Sequence, residues 1–130
     1  MFGKKTTKKR ILLVDDESDF THMLKLNLER TGKYEVCEEN RPEDALGTAK
    51  KFRPDIIFLD IVMPKMDGVH VGEMLREDPV LKEAPIIFMT ATVLKEEVTE
   101  NHGRIGGQTF LAKPVELDEL IGCIETRLAA

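Results

Sequence analysis

The chain has 130 residues, 42% of them hydrophobic and 33% charged, with a formal net charge of -5. A domain of this length buries roughly two thirds of the surface its unfolded form exposes, which excludes a disordered polymer and removes the need for a disulfide or zinc staple. The longest aliphatic or aromatic runs, Ile11 to Val14, Ile56 to Leu59 and Ile86 to Met89, are four residues each, far short of the about 20 that cross a bilayer, so a soluble protein is expected.

The first ten residues carry five basic and no acidic groups, so the other 120 hold 14 basic against 24 acidic, a net -10. Residues 1–10 are expected to be a flexible basic leader and residues 11–130 one domain. The leader has no apolar segment or cleavage site of a secretory signal, so the cytoplasm is expected. An acidic body argues against direct nucleic-acid binding, which needs a basic face.

Ile11–Val14 reads as a first strand. A helix follows, capped at Ser18, with Phe20, Met23, Leu24 and Leu28 on its apolar face and a stop at Gly32. Glu35–Cys37 is a second strand. Pro42 suits the first turn of a second helix carrying Ala45, Leu46, Ala49 and Phe52. A third strand, Ile56–Leu59, precedes a third helix marked by Val71, Met74 and Leu75, and a fourth strand is Ile86–Met89. The helix predicted after Val93 has only Leu94 and Val98 as firm anchors before Asn101, His102 and Gly103 interrupt the pattern, so it is expected to be the least stable. Phe110–Ala112 is a fifth strand, and Leu117, Leu120, Ile121, Ile124 and Leu128 define a last helix.

Three of these strands are apolar at every position, as in a parallel sheet covered on both faces. Five strands alternating with five helices predict a doubly wound α/β domain with right-handed crossovers. Reacting groups in such sheets collect at the carboxyl ends of the strands. Here those ends carry Asp15, Asp16 and Glu17 after the first strand, Asp60 after the third, Thr90 after the fourth, and Lys113 with Pro114 after the fifth.

Asp15 and Asp16 alone would read as capping and dipole groups for the first helix. Asp60 changes that reading, because an aspartate closing an apolar strand, ahead of a turn with Met63, Pro64, Asp67 and Gly68, is costly unless its charge is compensated. Three acids in one crevice repel and raise one another's pKa values until a cation neutralises them, and a few carboxylate oxygens suit magnesium. A carboxylate beside magnesium can attack a phosphoryl group, which makes Asp60 the candidate nucleophile. The charge on the transferred group needs cations and donors around it, a role open to Lys113 and the Thr90 hydroxyl.

The segments ILLVDDE at 11–17, DIIFLDIVMPKMDG at 55–68, PIIFMTA at 85–91 and GGQTFLAKP at 106–114 together resemble the receiver domains of two-component response regulators. The resemblance runs from Ile11 to about Leu128. It implies a flavodoxin-like strand order 2-1-3-4-5 with helices on both faces, and transfer of a phosphoryl group to Asp60 from the phosphohistidine of a sensor kinase or histidine phosphotransfer protein. It also implies magnesium bound directly by Asp16, Asp60 and the Val62 carbonyl, with Asp15 acting through water. Lys113 would pair with the acidic site, the Lys113–Pro114 peptide would be cis, and Thr90 with Phe110 would form a switch pair. The signal would pass to a downstream protein at the face between the helix after Val93 and the last helix.

Two features depart from the common pattern. The approach to the fifth strand is polar and glycine-rich at Asn101, His102, Gly103, Gly106 and Gly107. By the resemblance, Val62 and Thr92 occupy positions that flank the phosphoryl site in the family, and an apolar Val62 cannot orient an attacking water, so a slow loss of the phosphoryl group is expected. A turnover enzyme is not expected, because a magnesium-dependent aspartyl-phosphate phosphatase would carry a second acid where Val62 stands. A degenerate receiver that binds partners without phosphorylation is weighed against by the full set Asp15, Asp16, Asp60, Thr90 and Lys113. Cys37 and Cys123 read as free thiols, and His22, His70 and His102 as surface groups. The chain is expected to act as a single-domain regulator.

Overall fold

The structure, a computed structural model, describes residues 8–64, 66–91, 104–105 and 108–129. The helix predicted after Val93, together with Thr92, Asn101, His102, Gly103, Gly106 and Gly107, lies outside the described residues. The strands are β1 Lys9–Val14, β2 Tyr34–Glu39, β3 Ile56–Asp60, β4 Ile86–Thr90, β5 Arg104–Ile105 and β6 Gln108–Ala112. The helices are α1 Ser18–Arg30, α2 Ala45–Phe52, α3 Gly68–Glu77 and α4 Leu117–Arg127, with a 3-10 turn at Pro42–Asp44.

The sheet order is β2-β1-β3-β4-β6-β5. All pairs are parallel except β5 with β6, so the five predicted strands form the expected 2-1-3-4-5 parallel sheet and β5 adds an antiparallel edge. The extra strand was not predicted, because two residues are too short for any hydrophobic period to register. It pairs Arg104 with Thr109 and Ile105 with Gln108.

Alternation along the strands divides the core into two layers, since successive side chains leave opposite faces. Ile11, Leu13, Ile56, Phe58, Ile87 and Met89 pack with Leu24 and Leu28 of α1 and Leu120 and Ile124 of α4. On the other face Leu12, Val14, Ile57, Leu59 and Phe88 pack with Ala45 and Ala49 of α2 and Val71 and Leu75 of α3. Covering both faces is why β1, β3 and β4 tolerate continuous apolar runs.

Three local expectations are corrected. Met23 is half exposed and Thr21 is fully buried, because the stripe through Leu24 and Leu28 passes one turn earlier through Thr21. Glu17 is the N-cap of α1 and Ser18 its first helical residue. Lys9 and Arg10, assigned to the leader, already belong to β1, where the Arg10 amide donates to Asp55 Oδ2 at 2.8 Å and its guanidinium lies over the Phe52 ring. Gly32 takes the expected role with φ 79°, closing α1 by donating to the Glu29 carbonyl at 3.0 Å. Cys37 and Cys123 are free thiols.

Candidate functional site

Parallel strands present their carboxyl ends on one edge, and the register decides which residues meet there. Val14 pairs with Leu59, so Asp15 emerges next to Asp60. Thr90 pairs with Ala112, and the Lys113 amide donates to the Thr90 carbonyl at 2.9 Å, which carries Lys113 onto the same edge. Asp15, Asp16 and Asp60 each offer a carboxylate oxygen within 4.8 Å of the others. Lys113 Nζ lies 2.7 Å from Asp15 Oδ2, 3.1 Å from Glu17 Oε1 and 3.7 Å from Asp60 Oδ2. The Phe20 ring covers the same ammonium, with 4.9 Å from Nζ to the ring centroid.

Asp15 and Asp60 are buried and Asp16 is exposed, so the cluster opens to solvent on the Asp16 side. Burial, with the charges of Asp15 and Asp16 added, pushes the Asp60 carboxyl up from 3.8 to about 6 against the opposing pull of Lys113 and the Val62 amide. Asp15 is raised for the same first reason, burial, although Lys113 and the Glu17 amide pull it down. Burial alone would lower the Lys113 ammonium, but its hydrogen bonds to Asp15 and Glu17 and the charge of Asp60 leave it raised. Three acids thus contact one ammonium, with Asp16 beside them, in a crevice of oxygen donors. That donor set fits a hard divalent cation such as magnesium.

The turn after Asp60 is held by backbone contacts. Gly68, the first residue of α3, donates to the Ile61 carbonyl at 2.8 Å, and Asp67 Oδ1 caps the helix by accepting from the Val69 amide at 2.8 Å. A Cβ on Gly68 would lie 2.0 Å from the Asp60 carbonyl oxygen, so this close approach requires glycine. The Val62 amide reaches Asp60 Oδ1 at 3.4 Å, while its side chain is 61% exposed and sets no polar group over the carboxylate.

Of the remaining predicted site residues, Thr90 is fully buried at the end of β4. Phe110 sits away from the acids, half-buried against Phe88 with 5.6 Å between ring centroids. The Lys113–Pro114 peptide is cis. His22 and His70 are exposed, and His22 pairs with Glu38 at 3.2 Å. The sequence reading placed Glu17 at a strand end without giving it a partner, yet it is a direct ligand of Lys113. It overlooked Asn40, whose amide holds the Asp15 carbonyl at 2.8 Å. The signal for Asn40 lay in strand order, since β2 neighbours β1 and its end must abut Asp15.

The sequence profile of the response regulator receiver domain matches residues 11–125. The alkaline phosphatase synthesis transcriptional regulatory protein PhoP of Bacillus subtilis is 38% identical over 107 residues, 82% of this chain and 42% of PhoP. The polar-differentiation response regulator DivK of Brucella anthropi is 30% identical over 121 residues, 92% of this chain and 96% of DivK. The solved structure of the Vibrio cholerae chemotaxis protein CheY4 superposes with a TM-score of 0.78 at 29% identity, covering 93% of this chain and 99% of that chain. The chain therefore spans less than half of PhoP and nearly all of DivK. With the parallel strand order 2-1-3-4-5 and the profile running through 115 residues, the chain belongs to the response regulator receiver domain family of two-component signalling.

Proposed function

We propose that Asp60 accepts a phosphoryl group from the phosphohistidine of a sensor kinase or histidine phosphotransfer protein. One observation carries this reading: Asp15, Asp16 and Asp60 gather within 4.8 Å, with Lys113 reaching both Asp15 and Asp60. The Asp60 carboxylate oxygen bonds to phosphorus as the bond between phosphorus and the donor imidazole nitrogen breaks. Asp16, Asp60 and the Val62 carbonyl would hold magnesium, with Asp15 behind them, and the bound ion would supply positive charge against the phosphoryl oxygens and the three acids. Lys113 adds a second cation, and the Thr90 hydroxyl offers a donor at the neighbouring strand end.

The modification adds about -1.5 to -2 charge and three acceptor oxygens to Asp60. Drawing Thr90 toward those oxygens and repacking Phe110 against Phe88 would carry the change to the surface on the β6 and α4 side, where a downstream protein docks. The chemistry ends with the protein's own modification and its slow reversal, with no small-molecule turnover. The family supports the cytoplasm as its location.

Incubation with magnesium and a small acyl phosphate, followed by intact mass measurement, tests the proposal. Wild type is expected to gain about 80 Da, one labile phosphoryl group, and Asp60→Asn to gain nothing. No adduct on wild type would overturn the reading in favour of phosphorylation-independent binding. Free phosphate released far beyond one equivalent would make the protein a phosphatase.

A further inference from the structure

Asp16 is the exposed member of the acid cluster, and its carboxylate makes no hydrogen bond or ion pair among the described residues. The direction in which its Cβ leaves the chain is therefore set by the backbone, above all by the peptide plane joining Asp15 to Asp16. The oxygen of that plane is the Asp15 carbonyl, and Asn40 Nδ2 donates to it at 2.8 Å.

The direction of the surrounding hydrogen bonds follows from donor and acceptor counting. A carbonyl oxygen only accepts, so the Asn40 side chain must turn its NH2 group toward Asp15. The second hydrogen of that group meets Thr21 Oγ1 at 2.9 Å. The single Thr21 hydrogen is then free to donate to Glu38 Oε1 at 2.7 Å, a charged acceptor preferred over the Ser18 carbonyl at 3.2 Å. Glu38 Oε2 receives His22 Nδ1 at 3.2 Å on the outside. Thr21 is completely buried, so a conventional core position is given to a hydroxyl that serves Asn40. The chain joins α1, β2 and the segment before α2 to one backbone oxygen.

We propose that Asn40 is a positioning residue for the divalent cation: with Thr21 and Glu38 behind it, it fixes the Asp15–Asp16 peptide plane and so aims the Asp16 carboxylate into the cluster. This deepens the phosphoacceptor reading and rests on it. Partners behind a metal ligand are worth about 10- to 100-fold in affinity, and a peptide-plane constraint on one of three acids belongs at the lower end.

Magnesium affinity of the unphosphorylated protein, measured by titration calorimetry, tests this without any turnover. Asn40→Ala is expected to weaken magnesium about tenfold. Thr21→Val, which keeps the shape and removes the hydroxyl, should weaken it less, and Thr21→Ser should restore wild-type affinity. Ile124→Val, a core change on α4 remote from the cluster, controls for stability loss and should bind magnesium as wild type does. If Asn40→Ala, or Thr21→Val where the alanine variant does not fold, binds within twofold of wild type, the positioning role is wrong while the phosphoacceptor reading stands. If wild type does not bind magnesium, or Asp60→Asn binds it equally well, the reading beneath the proposal falls first.

Discussion

Asp60→Asn should make the magnesium-free protein more stable, and the amount follows from the site's electrostatics. Lifting a buried carboxyl from 3.8 to about 6 means that the folded state resists its ionisation. At about 1.36 kcal/mol per pH unit, the ionised carboxylate costs the fold about 3 kcal/mol at pH 7.5. The sign is opposite to that of a salt-bridged acid. Below 3.8 both states are protonated and the cost vanishes; as pH rises through the window to about 6, the unfolded chain ionises first and stability falls. Asparagine keeps the size and the oxygen facing the Val62 amide and removes the charge. In chelator at pH 7.5, urea unfolding should show a gain approaching about 3 kcal/mol, equivalent to about 10 °C in Tm. Near pH 4 the gain should shrink below about 1 kcal/mol. Saturating magnesium should stabilise wild type and leave the variant unmoved, narrowing the difference from the other side. A variant no more stable than wild type in chelator at pH 7.5, or a gain independent of pH, would refute the assigned burden on Asp60.

Other substitutions test separate parts of the structure. Gly68→Ala forces a Cβ into the Asp60 carbonyl and should cost more than about 2 kcal/mol in urea unfolding, whereas Gly122→Ala in the open middle of α4 should add about 0.5–1 kcal/mol. Lys113→Met strips the cation from buried Asp15 and should cost about 3–5 kcal/mol at neutral pH. That loss should diminish as pH falls and Asp15 takes up a proton, a trend readable from unfolding curves at several pH values. Val62→Asn should shorten the lifetime of the phosphorylated form in a mass-spectrometric decay series, since the native side chain offers no polar group to orient water. Equal decay rates would remove Val62 from the account.

The parts legible in the sequence share a physical cause. Strands buried on both faces must be apolar throughout, so β1, β3 and β4 announced themselves, and a parallel sheet dictates that Asp15, Asp60, Thr90 and Lys113 share an edge. Information carried by single contacts stayed hidden. Met23 was assigned to the apolar face of α1 by its spacing from Phe20 and Leu24, although Thr21 holds the inward position, where its hydroxyl has partners. Glu17 and Asn40 belong to no periodic pattern; they matter because a lysine from the far end of the chain and a carbonyl from the neighbouring strand lie within reach. The two-residue β5 has too little sequence to carry any pattern, and only its pairing with β6 defines it.

The contact between Lys113 and Asp15 closes a separation of 98 residues. During synthesis the acids at positions 15, 16 and 60 leave the ribosome well before the ammonium that opposes them in the fold. Finishing the last strand is therefore what delivers the balancing cation, and a chain that stops before Lys113 lacks the ammonium that offsets the acidic edge.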